Sequence, residues 1–249
     1  MSEKVNVLGM KIDKFTIEEV SCKIMEFISA NTKGHYIFTP NSEMIMAGYR
    51  DEELKEILNS ADILTADGIG VVYASKILKN PIKERCAGYD IACNLLSKLN
   101  SEKKSLYLFG SSEDVVVGAK ENIEKMHPNI NIVGYANGYF DELREKEIIC
   151  DINEKMPDVV FVCLGVPKQE KWIFNNAKNL NAKVLMGLGG SLDVFAGKVK
   201  RAPVFFQKLG IEWLYRLIKQ PKRFIRMLDL PRFAFTVLIH GKKFKQEGN

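Results

Sequence analysis

Several short stretches put reactive side chains where a strand would hand over to a helix. Thr65-Ala66-Asp67-Gly68 follows an apolar pair, so Asp67 falls on such a turn. A carboxylate there can face a cleft and take a proton from a substrate hydroxyl, which is the work of a general base. The same Asp-Gly pair also suits a plain turn. Thr39-Pro40-Asn41 places two hydrogen-bonding side chains at another strand end. Small residues mark three more junctions: Phe109-Gly110-Ser111-Ser112, Leu164-Gly165-Val166-Pro167-Lys168-Gln169, and Gly187-Leu188-Gly189-Gly190-Ser191-Leu192-Asp193. Glycines at such turns let backbone N–H groups approach a phosphate. They serve tight helix–strand packing equally well.

The patterns that are missing narrow the chemistry. No GxGxxG follows the first strand and no GxxxxGK[ST] occurs, which weakens the nicotinamide-enzyme and P-loop readings. The five cysteines, Cys22, Cys86, Cys93, Cys150 and Cys163, form no CxxC, as expected in a reducing cytoplasm. His35, His127 and His240 stand apart from any partner of a triad or metal site. No DxD pair follows a strand, so a metal ion bridging a nucleotide diphosphate lacks its usual carboxylates. A diphosphate leaving group would then need protein cations. Arg85, Arg216, Arg223 and Arg226 are the candidates, because a guanidinium fork matches phosphate oxygens in pairs.

The elements that must position these groups can be read from the apolar pattern. Candidate strands are Val5–Leu8, Tyr36–Thr39, Ile63–Thr65, Ser105–Phe109, Ile130–Val133, Val159–Leu164 and Lys183–Gly187, with amphipathic stretches between most of them. Thr16 and Glu19 have the spacing of a capping box, Ser112 or Ser111 caps the run Glu113–Met126, and Pro167 suits a first helical turn. This alternation predicts an α/β fold with a mainly parallel sheet covered by helices. In such sheets ligands bind beyond the carboxyl ends of the strands. Helical pieces are expected over Phe205–Lys219, Pro221–Leu228 and Phe233–Ile239, with Pro231 interrupting the last two.

The chain has 249 residues, 46% hydrophobic and 27% charged, enough for a core without disulfides or a structural metal. No signal peptide or membrane-spanning run is read. Charge is uneven. Residues 198–249 carry 13 of the 36 Lys and Arg but only 3 of the 31 Asp and Glu, a balance of +10 against −5 for the remainder. We therefore divide the chain into an α/β body, 1–199, and a basic helical appendage, 200–249. Mixed bulky apolar and basic residues suit helices lying on an anionic membrane; a helical cap packed on the sheet is the alternative. A nucleic-acid footprint would also explain the basic tail, but not the loop residues, and no nucleic-acid motif is present.

Several motifs in one order carry a resemblance. They are Thr39-Pro-Asn41, Leu64-Thr-Ala-Asp-Gly-Ile-Gly70, Arg85 with Gly88-Tyr-Asp90, Leu108-Phe-Gly-Ser111 and Asn137-Gly-Tyr-Phe-Asp141. Leu164-Gly-Val-Pro-Lys-Gln-Glu170, Gly187-Leu-Gly-Gly-Ser-Leu-Asp193, and Arg201-Ala-Pro203 leading into Gly210-Ile-Glu-Trp-Leu-Tyr-Arg216 follow. Over almost its whole length the chain resembles the WecG/TagA/CpsF glycosyltransferases. The resemblance implies a Rossmann-like α/β domain with a C-terminal appendage. It implies transfer of N-acetylmannosamine from UDP-N-acetylmannosamine to N-acetylglucosaminyl-diphospho-undecaprenol, with a β-1,4 linkage, in wall teichoic acid synthesis. Relatives using other UDP-hexoses keep the sugar open.

The resemblance also implies roles. Asp67 is the base of a single inverting displacement. Thr39, Asn41, Arg85 and Gln169 hold or orient the sugars. Gly110, Ser111, Gly165, Gly187, Gly189 and Asp193 line the nucleotide subsite. Arg216, Arg223 and Arg226 close over the site and stabilise the departing UDP. Neither metal nor cofactor is implied. The expected partners are the UDP-sugar donor, the polyprenyl-diphosphate acceptor and an anionic membrane surface, but not nucleic acid; a homodimer is left open. The expected location is the inner, cytoplasmic face of the cell membrane, as a peripheral protein.

Overall fold

The computed structural model describes residues 3–219, 221 and 224–245; for residues 208, 216, 226, 242 and 245 it describes the backbone alone. The strands are β1 (Lys4–Val7), β2 (Met10–Asp13), β3 (His35–Phe38), β4 (Ile63–Leu64), β5 (Ser105–Gly110), β6 (Asn131–Ala136), β7 (Val159–Cys163) and β8 (Val184–Gly187). Helices α1 (Ile17–Ser29), α2 (Ser42–Arg50), α3 (Glu52–Asn59), α4 (Ile69–Ile77), α5 (Gly88–Ser101), α6 (Glu113–Met126) and α7 (Glu142–Lys155) come first. Then follow α8 (Lys168–Asn176), α9 (Ser191–Phe195), α10 (Val204–Lys208), α11 (Glu212–Lys219), α12 (Phe224–Met227) and α13 (Asp229–Lys245).

Six strands form one sheet in the order β4-β3-β8-β7-β5-β6, and every neighbouring pair is parallel. Parallel strands need cover on both faces, and their sequences therefore run apolar throughout. All five residues of β7 are buried, and its side chains alternate between the two cores. Val160 and Val162 join Phe38, Phe109 and Trp172 beneath α2, α3, α4, α7, α8 and α13. Val159, Phe161 and Cys163 join Ile37, Leu108 and Met186 beneath α1, α5, α6 and α9. The expected Rossmann-like parallel sheet is what the chain forms.

The segment Val5–Leu8 does not enter that sheet. β1 and β2 make a separate antiparallel hairpin, turned through Leu8 and Gly9 at φ 54° and 94°. The strand β2 is absent from the sequence reading. It matters because its buried Asp13 accepts the Leu64 N–H through Oδ2 at 2.9 Å, tying the hairpin to the edge strand β4. The strand expected at Ile130–Val133 runs instead from Asn131 to Ala136. The capping box of α1 is present, with Thr16 Oγ1 accepting from the Glu19 N–H and Glu19 Oε2 accepting from the Thr16 N–H. Ser112 occupies the cap of α6, but its hydroxyl donates to Asp114 Oδ1 at 2.6 Å and makes no cap bond.

The appendage differs in detail. The stretch expected as one helix breaks after α10 at Gly210, whose φ of 71° no continuing helix allows. Pro231 does not interrupt α13; it lies in the first turn, where a helix asks nothing of its backbone nitrogens. Phe233 and Val237 of α13 are buried in the core beside α2 and α4. Side chains of this size contribute roughly 1.5–3 kcal/mol each when buried, so α13 is firmly seated. Among the described residues, no helix is long and apolar enough to cross a membrane.

Candidate active site

The strand order arranges the five sequence-predicted junctions along one rim of the sheet. Reading across, the ends of β4, β3, β8, β7 and β5 carry Thr65–Gly68, Thr39–Asn41, Gly187–Gly190, Leu164–Pro167 and Gly110–Ser112. Neighbouring strands lie ~4.8 Å apart, so the β4 and β8 ends are roughly 10 Å apart and the β4 and β5 ends roughly 20 Å.

Asp67 is half-buried on this rim. The ladder between β3 and β4 continues past the strands: Thr65 N–H donates to the Phe38 carbonyl and Asp67 N–H to the Pro40 carbonyl, at 3.0 and 3.1 Å. The backbone at Asp67 is therefore fixed against the Thr39–Asn41 turn. Asn41 caps α2, its Oδ1 accepting the Met44 N–H at 3.0 Å, and is otherwise exposed. Thr39 is half-buried. A Cβ placed on Gly88 would stand 2.8 Å from its Oγ1 and 3.3 Å from Leu188, so α5 begins against both the β3 and β8 ends.

The 84–87 loop returns beside Asp67, with Cys86 N–H donating to the Ala66 carbonyl at 2.9 Å. This brings Arg85 close. Burial works against the Arg85 charge, but its hydrogen bond to Glu212 and the nearby Asp67, with Asp90, outweigh that and raise its pKa. Arg85 belongs to a four-membered network that the sequence reading did not anticipate. It donates to Glu212 Oε2 at 2.9 Å and to Asp90 Oδ2 at 3.3 Å, while Arg201 grips the same Asp90 with both Nη atoms. Asp90, Arg201 and Glu212 all sit inside motifs quoted above, and that clustering was the available signal. The network holds the start of the appendage to α5.

Gln169 is 3% exposed, in the first turn of α8. Its Oε1 accepts the Gly189 N–H at 2.9 Å, so it fastens the β7 side of the rim to the β8 turn. Gly165 and Gly189 have φ of 78° and 54°, and a Cβ on either would meet nothing within 4 Å. Their open sides leave room for a ligand to reach the backbone. Gly110 is different: a Cβ there would come within 2.3 Å of the Cys163 carbonyl oxygen, so strand packing already demands glycine. Ser111 Oγ donates to Asp193 Oδ2 at 3.3 Å, joining the β5 and β8 turns. Gly187 lies over Gln169 and Phe38.

Of the appendage arginines, Arg223 lies outside the described residues. Arg216 and Arg226 are described by backbone alone, in α11 and α12. Among the described residues, no three His, Cys, Asp or Glu are grouped as around a metal ion. A separate cleft of about 610 Å³ beside α7 and α8, lined by Phe140, Lys168 and Trp172, contains none of the rim candidates.

An all-parallel sheet with polar and glycine-bearing turns on its carboxyl rim defines a Rossmann-like protein, a class in which ligands bind beyond the carboxyl ends of the strands. The model of the Glycosyl transferase WecG/TagA/CpsF family matches residues 5–247. The N-acetylglucosaminyldiphosphoundecaprenol N-acetyl-beta-D-mannosaminyltransferase of Bacillus subtilis (strain 168) is 42% identical over 213 residues, covering 85% of this chain and 82% of that protein. The protein of the same name from Staphylococcus aureus (strain MW2) is 34% identical over 244 residues, covering 98% and 95%. The chain belongs to the WecG/TagA/CpsF family and is a glycosyltransferase.

Proposed function

We propose that this enzyme moves N-acetylmannosamine from UDP-N-acetylmannosamine to N-acetylglucosaminyl-diphospho-undecaprenol, the acceptor its relatives are named for. The product is a β-1,4-linked disaccharide on a lipid carrier, in wall teichoic acid synthesis. The observation that carries this reading is the half-buried Asp67, fixed by its backbone to Pro40, on the same rim as the open Gly165 and Gly189 turns.

The donor lies along the rim from the β5 end toward β4. Ser111 and Asp193 meet the nucleoside, and the Gly187–Gly189 turn with Gly165 meets the diphosphate. Gln169 orients the sugar end, and Thr39, Asn41 and Arg85 hold sugar hydroxyls near Asp67. The Asp67 carboxylate removes the proton from the acceptor hydroxyl. That oxygen forms its bond to the anomeric carbon as the carbon–oxygen bond to UDP breaks, with inversion. Arg216, Arg223 and Arg226 neutralise the departing diphosphate without a metal ion. Preorganised charge of this kind commonly lowers a barrier by about 3–4 kcal/mol per group.

The body, 1–199, supplies the rim, and the appendage, 200–249, meets the inner face of the membrane and completes the site there. Val204, Phe205, Leu209, Ile218, Phe224 and Ile225 are each more than half exposed, an apolar surface suited to an interface rich in anionic lipid. The decisive experiment is a transfer assay with UDP-N-acetylmannosamine and a lipid-diphosphate acceptor. Other UDP-hexosamines serve as donor controls. Preferred turnover of another UDP-hexosamine would move the enzyme to a different polysaccharide pathway, and no transfer from any donor would sink the proposal.

A further inference from the structure

Glu170 follows Gln169 in the first turn of α8, and its side chain is completely buried. Carboxylates favour a helix N-terminus, but they gain that from the surface without leaving water. This one has left it. Its Oε1 accepts from Gln169 Nε2 at 2.7 Å, while its Oε2 is buried with no hydrogen-bond partner. Burial pushes its pKa up to about 7, against the lowering effect of the Gln169 hydrogen bond.

The Gln169 amide can be satisfied in one orientation. The Gly189 N–H is a donor, so the amide oxygen must face it. The amide nitrogen then needs an acceptor, and the Glu170 carboxyl is the one supplied. An apolar residue would fill the same space without stranding an oxygen in the core. The carboxyl is therefore explained by what it does to its neighbour. We propose that Glu170 is a positioning residue for sugar transfer: it locks the Gln169 amide, which in turn sets the Gly187–Gly190 turn in the shape that receives the donor nucleotide. This rests on the donor reading of that turn given above.

The test compares Glu170→Gln, Glu170→Asp and Glu170→Leu in the full-length enzyme. Glu170→Gln keeps an acceptor oxygen facing Gln169 and should retain wild-type KM and kcat. Glu170→Asp withdraws the carboxyl by one methylene, and Glu170→Leu removes it. Both should raise the UDP-sugar KM and the UDP Kd by roughly tenfold, the scale of one lost polar contact. Both should also speed hydrogen exchange at the Gly189 amide, with Glu170→Gln rescuing exchange and KM together. Wild-type KM and Gly189 exchange in Glu170→Asp would overturn the proposal even if Glu170→Leu fails to fold. So would a fall in kcat with UDP binding and exchange unchanged. If the wild-type protein binds no UDP, the donor reading fails instead, and Gly189 exchange still reports on the lock.

Discussion

Arg201 and Asp90 face each other as a two-pronged ion pair, Nη1 to Oδ1 at 2.6 Å and Nη2 to Oδ2 at 2.7 Å. The pair joins the first residues of the appendage to the helix that starts beside Thr39. Both side chains are about three-quarters shielded from water, so the pair is screened less than a surface contact. Asp90→Asn should lower stability by about 1–3 kcal/mol, because two guanidinium groups lose their shared carboxylate. Arg201→Met should recover part of that loss in the double variant. Urea unfolding of the four proteins checks this, and additivity of the two changes would show that the pair carries no coupling.

Asp67→Asn should reduce kcat by about 10²- to 10⁴-fold, the usual contribution of a general base. UDP affinity should stay close to wild type, since the proposed nucleotide subsite lies toward the other end of the rim. Turnover assays and UDP calorimetry on the same preparation separate the two effects. A variant with normal kcat would remove Asp67 from the chemistry.

Glu170 gives folding stability a pH dependence of definite sign. Its carboxyl moves from an ordinary value of 4.5 to about 7 on folding. Between those values the native state holds a proton that the unfolded state has released, so stability falls as pH rises and levels off above about 7. At ~1.4 kcal/mol per unit the span is on the order of 3 kcal/mol. Glu170→Gln should lack this component. Unfolding curves for both proteins at pH 5 and pH 8 should diverge toward the higher pH, and parallel curves would contradict the burial argument.

Two kinds of apolar residue in the appendage should behave oppositely. Phe233 is 3% exposed within the core, and Phe233→Ala should cost about 3–5 kcal/mol. Ile225 is 77% exposed, and Ile225→Ser should leave the melting temperature unchanged while weakening sedimentation with anionic vesicles. Unaltered vesicle binding in an Ile225→Ser, Phe224→Ser double variant would detach the membrane role from this surface.

Chelation should leave turnover intact, since arginines are assigned to the leaving group. Inhibition by EDTA that Mg²⁺ reverses would reassign that work to a metal ion.

Much of this arrangement is legible from residue types. The uninterrupted apolar run of β7 and the small residues after it announce a buried parallel strand and its turn, and Asp67 stands out as a carboxylate at such a junction. The hairpin strand β2 escapes because four residues after a turn carry too little pattern. The Arg85, Asp90, Arg201 and Glu212 network escapes for another reason. Its shortest contacts join residues 111 and 127 positions apart, and spacing says nothing about such pairs. Glu170 ends the Leu164–Glu170 motif without any role legible from its type; only its burial singles it out.

The order of strands also has a kinetic consequence. Asp67 lies on the turn that follows the edge strand β4, whereas the turns assigned to the donor follow strands further inward. On the proposed placement, a lipid-borne alcohol reaches the β4 end of the rim while the nucleotide occupies its middle. In that proposed arrangement neither substrate occupies the other's place, so both can be bound together before transfer. Initial-rate plots should then show intersecting lines, the mark of a sequential reaction rather than a ping-pong exchange through a glycosylated enzyme.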